Sequence, residues 1–103
     1  MLYITLDTIP GRELEPMGIV KGSTVHSKNV GKDIMSGLKT IVGGEIKAYT
    51  EMMEEARTIA TQRMLEDAQR MGADAIVGVR YSSSAVMAGA SEIMAYGTAV
   101  KFR

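Results

Sequence analysis

The chain has 103 residues, enough for one domain with a single modest core. Its 12 basic and 12 acidic residues give a net charge of zero, which excludes the basic excess that nucleic-acid-binding proteins use to neutralise phosphates. The absence of cysteine excludes disulfides and thiolate metal sites, and no apolar run approaches the roughly 18 residues of a membrane-spanning helix. The amino-terminal residues lack the pattern of a signal peptide. We therefore expect a cytoplasmic single domain, residues 1–103, that binds neither nucleic acid nor membranes.

The first third of the chain predicts two strands and a short helix. Apolar and polar residues alternate weakly over Leu2–Leu6, which indicates a short strand at the edge of a sheet. Two prolines then predict a connection over residues 10–16, because proline cannot donate to a strand ladder. Gly18–Val25 is the second predicted strand and residues 26–32 form a polar loop. Asp33 is a suitable N-cap for a short helix over residues 34–40.

A long amphipathic helix is predicted from Glu45 to Met71. Apolar residues recur in it at spacings of three and four, which is the helical period: Ile46, Tyr49, Met53, Ala56, Ala60, Met64, Ala68 and Met71. Gly43 and Gly44 precede it and are interpreted as a structural hinge. Gly72 follows directly and fits the left-handed C-cap position.

Two more strands complete the predicted fold. Ala75–Ser82 is a nearly continuous apolar strand, residues 82–91 form a loop of small residues, and Ser91–Phe102 is the last strand. Mid-strand glycines (Gly22, Gly78 and Gly97) are expected to share the face that the helix crosses. The order strand, helix, strand, strand predicts an α+β fold, a two-layer sandwich of one long helix on a small antiparallel sheet.

The dimensions of the helix favour a homo-oligomer. About 27 residues make a helix of roughly 40 Å, whereas strands of about eight residues span only roughly 26 Å, so the helix should overhang its sheet. Met52 and Ile59 widen its apolar arc to about 200° in the first half, against somewhat more than about 100° for a typical surface helix. In the second half of the helix, the side of the wheel on which Met52 and Ile59 lie carries charged residues: Arg63, Glu66 and Arg70. A contact between subunits, apolar at one end and ion-paired at the other, accounts for this pattern.

Several motifs resemble the YbjQ-like family of small bacterial and archaeal proteins, which carry a heavy-metal-binding label. The matching segments are GIVKGSTV, Asp33 with its short helix, IVGGEIKAY, EEAR, GADAIVGVR and EIMAYGTAV, in this order between Gly18 and Val100. The resemblance implies a dodecin-like subunit with a β-α-β-β core, assembled as a ring-shaped homopentamer or as a decamer of two such rings. It implies no established activity, and a chain with one histidine and no cysteine departs from strong metal-binding patterns.

His26 is the single histidine and therefore the candidate ligand for a divalent metal cation, the one cofactor class left open. A surface or interface role is the competing interpretation. In a ring of five subunits, the single histidine of each chain would form a ring of five histidines, which could make a site. Methionine, nine residues of the chain, is interpreted as core and interface packing in preference to a thioether site for Cu(I).

Arg57, Glu92 and Tyr96 are the candidate ligand-binding residues. Arg57 falls on the apolar stripe of the helix and needs a carboxylate, for which Glu92 or Asp74 is available; a structural ion pair competes with substrate binding. Glu92 and Tyr96 alternate to the same side of the last strand, so an acid–base pair is a weaker alternative. Gly43 and Gly44 before a helix also suit an anion, but Glu45 would repel it.

The sequence predicts a ring-forming homo-oligomer that binds a small ligand or a metal cation at a pore or between subunits, without catalysis. A scaffold or interaction protein is the second hypothesis. An enzyme that uses Glu92 and Tyr96 at an interface is the third.

Overall fold

A computed structural model describes residues 1–27, 42–88 and 90–103 of the chain. Their elements are strand β1 (Leu2–Tyr3), strand β2 (Leu14–Ser27), helix α1 (Val42–Arg70), strand β3 (Ala75–Met87) and strand β4 (Ala90–Phe102). The short helix predicted over residues 34–40 lies outside the described residues.

The strands form one sheet in the order β1-β3-β4-β2, and helix α1 covers one face of it. β4 pairs antiparallel with both β2 and β3, and β1 adds to the outer edge of β3 in parallel. The predicted α+β fold, with one long helix on a small sheet, is confirmed. The parallel β1 makes the sheet mixed where a purely antiparallel one was predicted.

The strands are much longer than predicted. β2 has 14 residues and β3 and β4 have 13 each, so each spans about 44 Å, against about 43 Å for the 29-residue helix. The predicted loop over residues 82–91 is wrong, because β3 continues to Met87, β4 begins at Ala90, and these two residues pair with each other. The difference in length from which an overhang of the helix was predicted is therefore absent.

The predicted connection over residues 10–16 is also wrong in its last part, because β2 begins at Leu14 and includes Pro16. β2 is an edge strand, and its register with β4 shifts between Pro16 and Gly18. An edge or a bulge is where a strand tolerates proline, since no ladder bond is lost there.

The core lies between α1 and the sheet. The helix contributes every fourth residue to it (Ala56, Ala60, Met64 and Ala68), and the strands contribute Val20, Ile76, Val79, Ile93, Ala95 and Ala99. Gly22 lies directly beneath the helix: a Cβ there would collide with the backbone of Met64 and Ala60. The alanines and the glycine let the two backbones approach closely.

The other two mid-strand glycines have different roles from the one predicted. Gly78 has a φ of 63°, a left-handed conformation that glycine adopts readily, where β3 bulges between Val77 and Arg80. Gly97 lies under side chains of the neighbouring strand, since a Cβ there would be 2.8 Å from Ile76 Cγ2. Of the three, only Gly22 meets the helix backbone.

Charged side chains of α1 cover part of the outer edge of β2. Asp67 Oδ2 accepts a hydrogen bond from the Lys21 amide at 3.2 Å, and Arg63 donates to the Ser23 carbonyl at 2.6 Å. Arg70 lies 3.4 Å from the other Asp67 oxygen. Of the charged residues assigned from sequence to a subunit contact, Arg63 therefore binds the edge of its own sheet and Arg70 pairs with Asp67 of its own helix.

The helix begins at Val42, three residues earlier than predicted, so Gly43 and Gly44 lie in its first turn and not in a hinge before it. The first turn tolerates glycine because its amides have no partner within the helix to lose. No helix among the described residues has the length and apolar character to cross a membrane.

Gly72 follows the end of the helix with a φ of 74°. Its amide donates to the Gln69 carbonyl at 3.0 Å, and the next amide, that of Ala73, donates to Ala68 at 3.1 Å. These bonds satisfy carbonyls that the last turn leaves without helical donors.

Replacing Gly72 by alanine is expected to lower the free energy of unfolding by about 1 kcal/mol. The site has space for a Cβ, so the cost is that of holding an L-residue in the left-handed conformation. Urea unfolding measures the change. Gly72→Asn is the control and should cost less, since asparagine tolerates this conformation; an equal loss in both variants would contradict the explanation.

Candidate functional site

A cleft lies between helix α1 on one side and strands β1 and β3 on the other, on the face of the sheet that carries the helix. It has a volume of about 530 Å³. The residues that line it are Tyr3, Glu54, Arg57, Thr58, Thr61, Gln62, Leu65 and Tyr81. The helix packs mainly on β2 and β4, which leaves this side of the sheet uncovered.

Tyr81 and the helix are joined by a hydrogen-bond chain with a defined direction. The Thr61 hydroxyl donates to the Arg57 carbonyl at 2.7 Å, so its single proton is committed. Tyr81 lies 2.8 Å from the same Thr61 oxygen and must therefore be the donor. The lone pairs of the Tyr81 oxygen remain available to accept a hydrogen bond from a ligand in the cleft.

Arg57 supplies the positive charge of the cleft. Its side chain is exposed, and no ion pair to it is found in the described part of the chain. The predicted partners are engaged or distant: Asp74 lies 3.6 Å from Lys101 Nζ and accepts a bond from the Phe102 amide at 2.8 Å. Glu92 lies on the other face of the sheet. The predicted structural ion pair of Arg57 with Asp74 or Glu92 is therefore wrong, and its guanidinium can bind a ligand.

Glu92 and Tyr96 lie apart from Arg57 and from each other. In β4 the residues Ile93, Ala95 and Ala99 pack in the helix-side core, so the even-numbered residues point to the opposite face. Glu92 and Tyr96 share that face, as predicted. Four residues of strand separate their Cα atoms by about 13 Å, too far for a direct acid–base pair.

His26 lies in β2 opposite Ser91, on the same face as Gly22. Its Nε2 atom is buried, and no hydrogen-bond partner for it is found among the described residues. The described residues contain no group of three or more histidine, cysteine, aspartate or glutamate side chains that could hold a metal ion. One chain therefore offers a single imidazole ligand and no complete metal site within the described part.

Sequence reasoning found Arg57 but missed the tyrosines and Thr61. Thr61 follows Arg57 by four residues and so shares its side of the helix, which was a usable signal. Tyr81 was predicted to lie in a strand, but nothing in the local pattern of residues shows which face of that strand its side chain occupies.

Tyr81→Phe is expected to lower the free energy of unfolding by up to about 1 kcal/mol, the usual net value of one hydrogen bond. The ring stays and only the donor to Thr61 is lost. Tyr3→Phe is the matched control in the same cleft, because no hydrogen bond to the Tyr3 hydroxyl is found among the described residues. Urea unfolding of both variants is the measurement, and equal losses would contradict the assigned bond.

Comparison with known proteins identifies relatives along the whole chain. The YbjQ_1 family model, described as "Putative heavy-metal-binding", matches residues 1–103. A UPF0145 protein of Clostridium novyi is 60% identical over 98% of both chains, and one of Alkaliphilus metalliredigens is 63% identical over 99% of both. A UPF0145 protein of Methanosarcina acetivorans is 58% identical over 98% of this chain and 96% of its own.

A solved structure shares the fold. The crystal structure of a DUF74-family protein of unknown function from Pediococcus pentosaceus aligns with a TM-score of 0.71 at 16% identity, over 100% of this chain and 98% of that one. None of the relatives' names states a reaction. The match along all 103 residues and identities near 60% show that this chain belongs to the YbjQ_1 family.

Proposed function

We propose that the protein is a homo-oligomeric ring, a homopentamer or its doubled form, that binds a small organic anion in the Arg57 cleft without catalysing a reaction. The observation that carries the assembly is the shape of the single chain. Its radius of gyration is 17.1 Å, whereas a compact domain of about 100 residues has about 13 Å. A chain this extended leaves apolar surface that a second copy can cover.

The outer edge of β3 supports a subunit contact there. β1 and the segment after it pair with β3 only as far as Val79, whose amide donates to the Ile4 carbonyl. Beyond that residue, the described part of the chain offers no strand to this edge. Val86 and Met87 are 51% and 69% exposed, and an unpaired edge with exposed apolar residues is a template for another chain.

The ligand proposal is supported by the charges and dipoles of the cleft. Arg57 presents donors in a planar fork that matches a carboxylate or phosphate, and the Tyr81 oxygen would accept a hydrogen bond from a hydroxyl group of the same ligand. Glu54, which also lines the cleft, disfavours a second negative charge on the ligand. Leu65 and the two tyrosine rings provide apolar contact area. The cleft borders the unpaired edge of β3, so a neighbouring subunit would narrow it and exclude water from the ion pair.

Light scattering tests the assembly: the expected mass is about five or ten times the 11.1 kDa of one chain. A mass near one chain at micromolar concentration would overturn it. Calorimetric titration with lactate, a carboxylate that carries a hydroxyl group, and separately with inorganic phosphate, tests the cleft. Binding should be lost in Arg57→Gln and kept in Arg63→Gln, whose guanidinium binds the edge of β2 instead; equal behaviour of the two variants would contradict the site.

A divalent metal at His26 is the competing ligand, favoured by a buried Nε2 atom that has no hydrogen-bond partner in the part of the chain that the structure describes. Its position on the helix-covered face weighs against a ring of five histidines. Titration with Zn²⁺ distinguishes the two proposals, because metal binding would be lost in His26→Gln and unchanged in Arg57→Gln.

A further inference from the structure

We propose that a second cavity, on the face of the sheet opposite the helix, binds a short peptide with charged termini and apolar side chains. This cavity has a volume of about 420 Å³. It lies between the segment that links β1 to β2 and the strands beneath it. The residues that line it are Asp7, Thr8, Arg12, Leu14, Pro16, Val77, Gly78, Thr98 and Val100.

The walls of the cavity are held in place by backbone hydrogen bonds. The Gly78 amide donates to the Leu6 carbonyl at 2.8 Å, and the Arg12 amide donates to Ile9 at 3.1 Å. Arg80 fixes the same segment from the sheet side by donating to the Thr5 carbonyl at 3.0 Å. The segment therefore forms a fixed wall, so a ligand need not order it on binding.

The floor of the cavity is apolar. Val77 and Val100 are 6% and 3% exposed and belong to a small core of their own on this face. Leu14 packs against that core. Leu14 is only partly buried and Pro16, which also lines the cavity, is exposed, so these two side chains offer the hydrocarbon that a ligand can bury, at roughly 25 cal/mol per Å².

Opposite charges stand at the two ends of the floor. Asp7 lies beside Gly78, where a Cβ would come within 3.4 Å of its Oδ1 atom. Arg12 lies over the Phe102 ring, 4.3 Å from its centroid. Within the described chain, neither side chain has an ion-pair partner. Gly78 follows Val77, whose partner on β4 is Thr98, and Thr98 and Phe102 are four residues apart, so the backbone positions nearest the two charges are about 13 Å apart.

This arrangement selects the class of ligand. The positively charged amino terminus of the ligand would lie at Asp7, its carboxylate would lie at Arg12, and its apolar side chains would lie over the floor. A free amino acid is too short, because its charges are separated by a single residue. A tripeptide extends about 10 Å at roughly 3.3–3.6 Å per residue, and the two side chains reach over the remaining distance.

Calorimetric titration with the tripeptide Leu-Ala-Leu tests the inference. We expect binding to the wild-type protein that weakens about tenfold or more in Asp7→Asn and in Arg12→Gln, the size of one charge-assisted hydrogen bond. An N-acetylated peptide should bind weakly and be insensitive to Asp7→Asn, and a carboxamide peptide should be insensitive to Arg12→Gln. Glu13→Gln is the matched control, since Glu13 is exposed and does not line the cavity.

Two results would overturn the inference. One is the absence of heat with the free tripeptide at roughly millimolar concentration. The other is equal binding of the free and doubly capped peptides, which would show that the charged ends do not recognise the termini. Because this cavity and the Arg57 cleft lie on opposite faces of the sheet, Arg57→Gln should leave tripeptide binding unchanged.

Discussion

Gly22→Ala should lower the free energy of unfolding by about 3 kcal/mol or more, the upper range for overpacking a core. The new methyl group would meet the backbone of α1 at Ala60, Arg63 and Met64. A side chain can rotate away from such a collision, but a helix backbone can only move as a whole. Moving it would separate Ala56, Ala60, Met64 and Ala68 from the sheet at the same time.

Two variants show whether the helix backbone is the cause. Gly97→Ala adds the same methyl group at 2.8 Å from Ile76 Cγ2, 3.0 Å from the Val77 carbonyl oxygen and 3.2 Å from Val79 Cγ2, all farther than the helix backbone lies at Gly22, so its loss should be smaller. Lys21→Ala, in the neighbouring exposed position, should be nearly neutral. Urea midpoints and slopes are compared at one protein concentration. A loss below about 0.5 kcal/mol in Gly22→Ala, within the range of ordinary surface substitutions, would contradict the close approach of helix and sheet.

Ser83→Pro should dissociate the proposed assembly to single chains. The Val79 amide points to the outer side of β3, where it bonds to Ile4, and by alternation the amides of Tyr81 and Ser83 point the same way. Proline removes the Ser83 amide hydrogen and places a ring at the contact, while an outward-facing edge position tolerates proline within one chain. Light scattering at micromolar concentration should then give the mass of one chain.

Ser83→Ala is the matched control, because it changes the same side chain and keeps the amide hydrogen. The assembly should keep its wild-type mass in this variant. If Ser83→Pro also keeps the wild-type mass while remaining folded by circular dichroism, the edge of β3 is not the subunit contact.

The helix could be predicted from sequence because its signal is long and regular. Apolar residues at spacings of three and four over more than six turns placed it within a few residues of its observed ends, Val42 and Arg70. The strands could not be bounded in the same way. Ser82–Ser84 and Pro16 disfavour strand locally, but pairing with β4 on one side overrides that preference.

The candidate site was only partly accessible from sequence, because it depends on which face each strand residue occupies. β4 carries apolar residues on both faces: Ile93 and Ala99 meet the helix, and Val100 meets the second small core. A strand of this kind shows no clear alternation of apolar and polar residues. The sequence therefore could not show that Glu92 and Tyr96 lie on the face of the sheet opposite the helix and Arg57. The bond between Thr61 and Tyr81 joins residues 20 positions apart and requires the register of β3.

The bonds from Arg63 and Asp67 to β2 have a consequence for solubility. They occupy backbone groups with which a strand of another molecule would pair, so the sheet is closed to extension near Lys21 and Ser23. At the opposite edge, no strand of the described residues pairs with β3 beyond Val79. A sheet whose two edge strands can both pair with other molecules can extend into fibrils. Because Arg63 and Asp67 occupy the β2 edge, strand pairing cannot propagate from subunit to subunit without limit, which favours finite particles over aggregates.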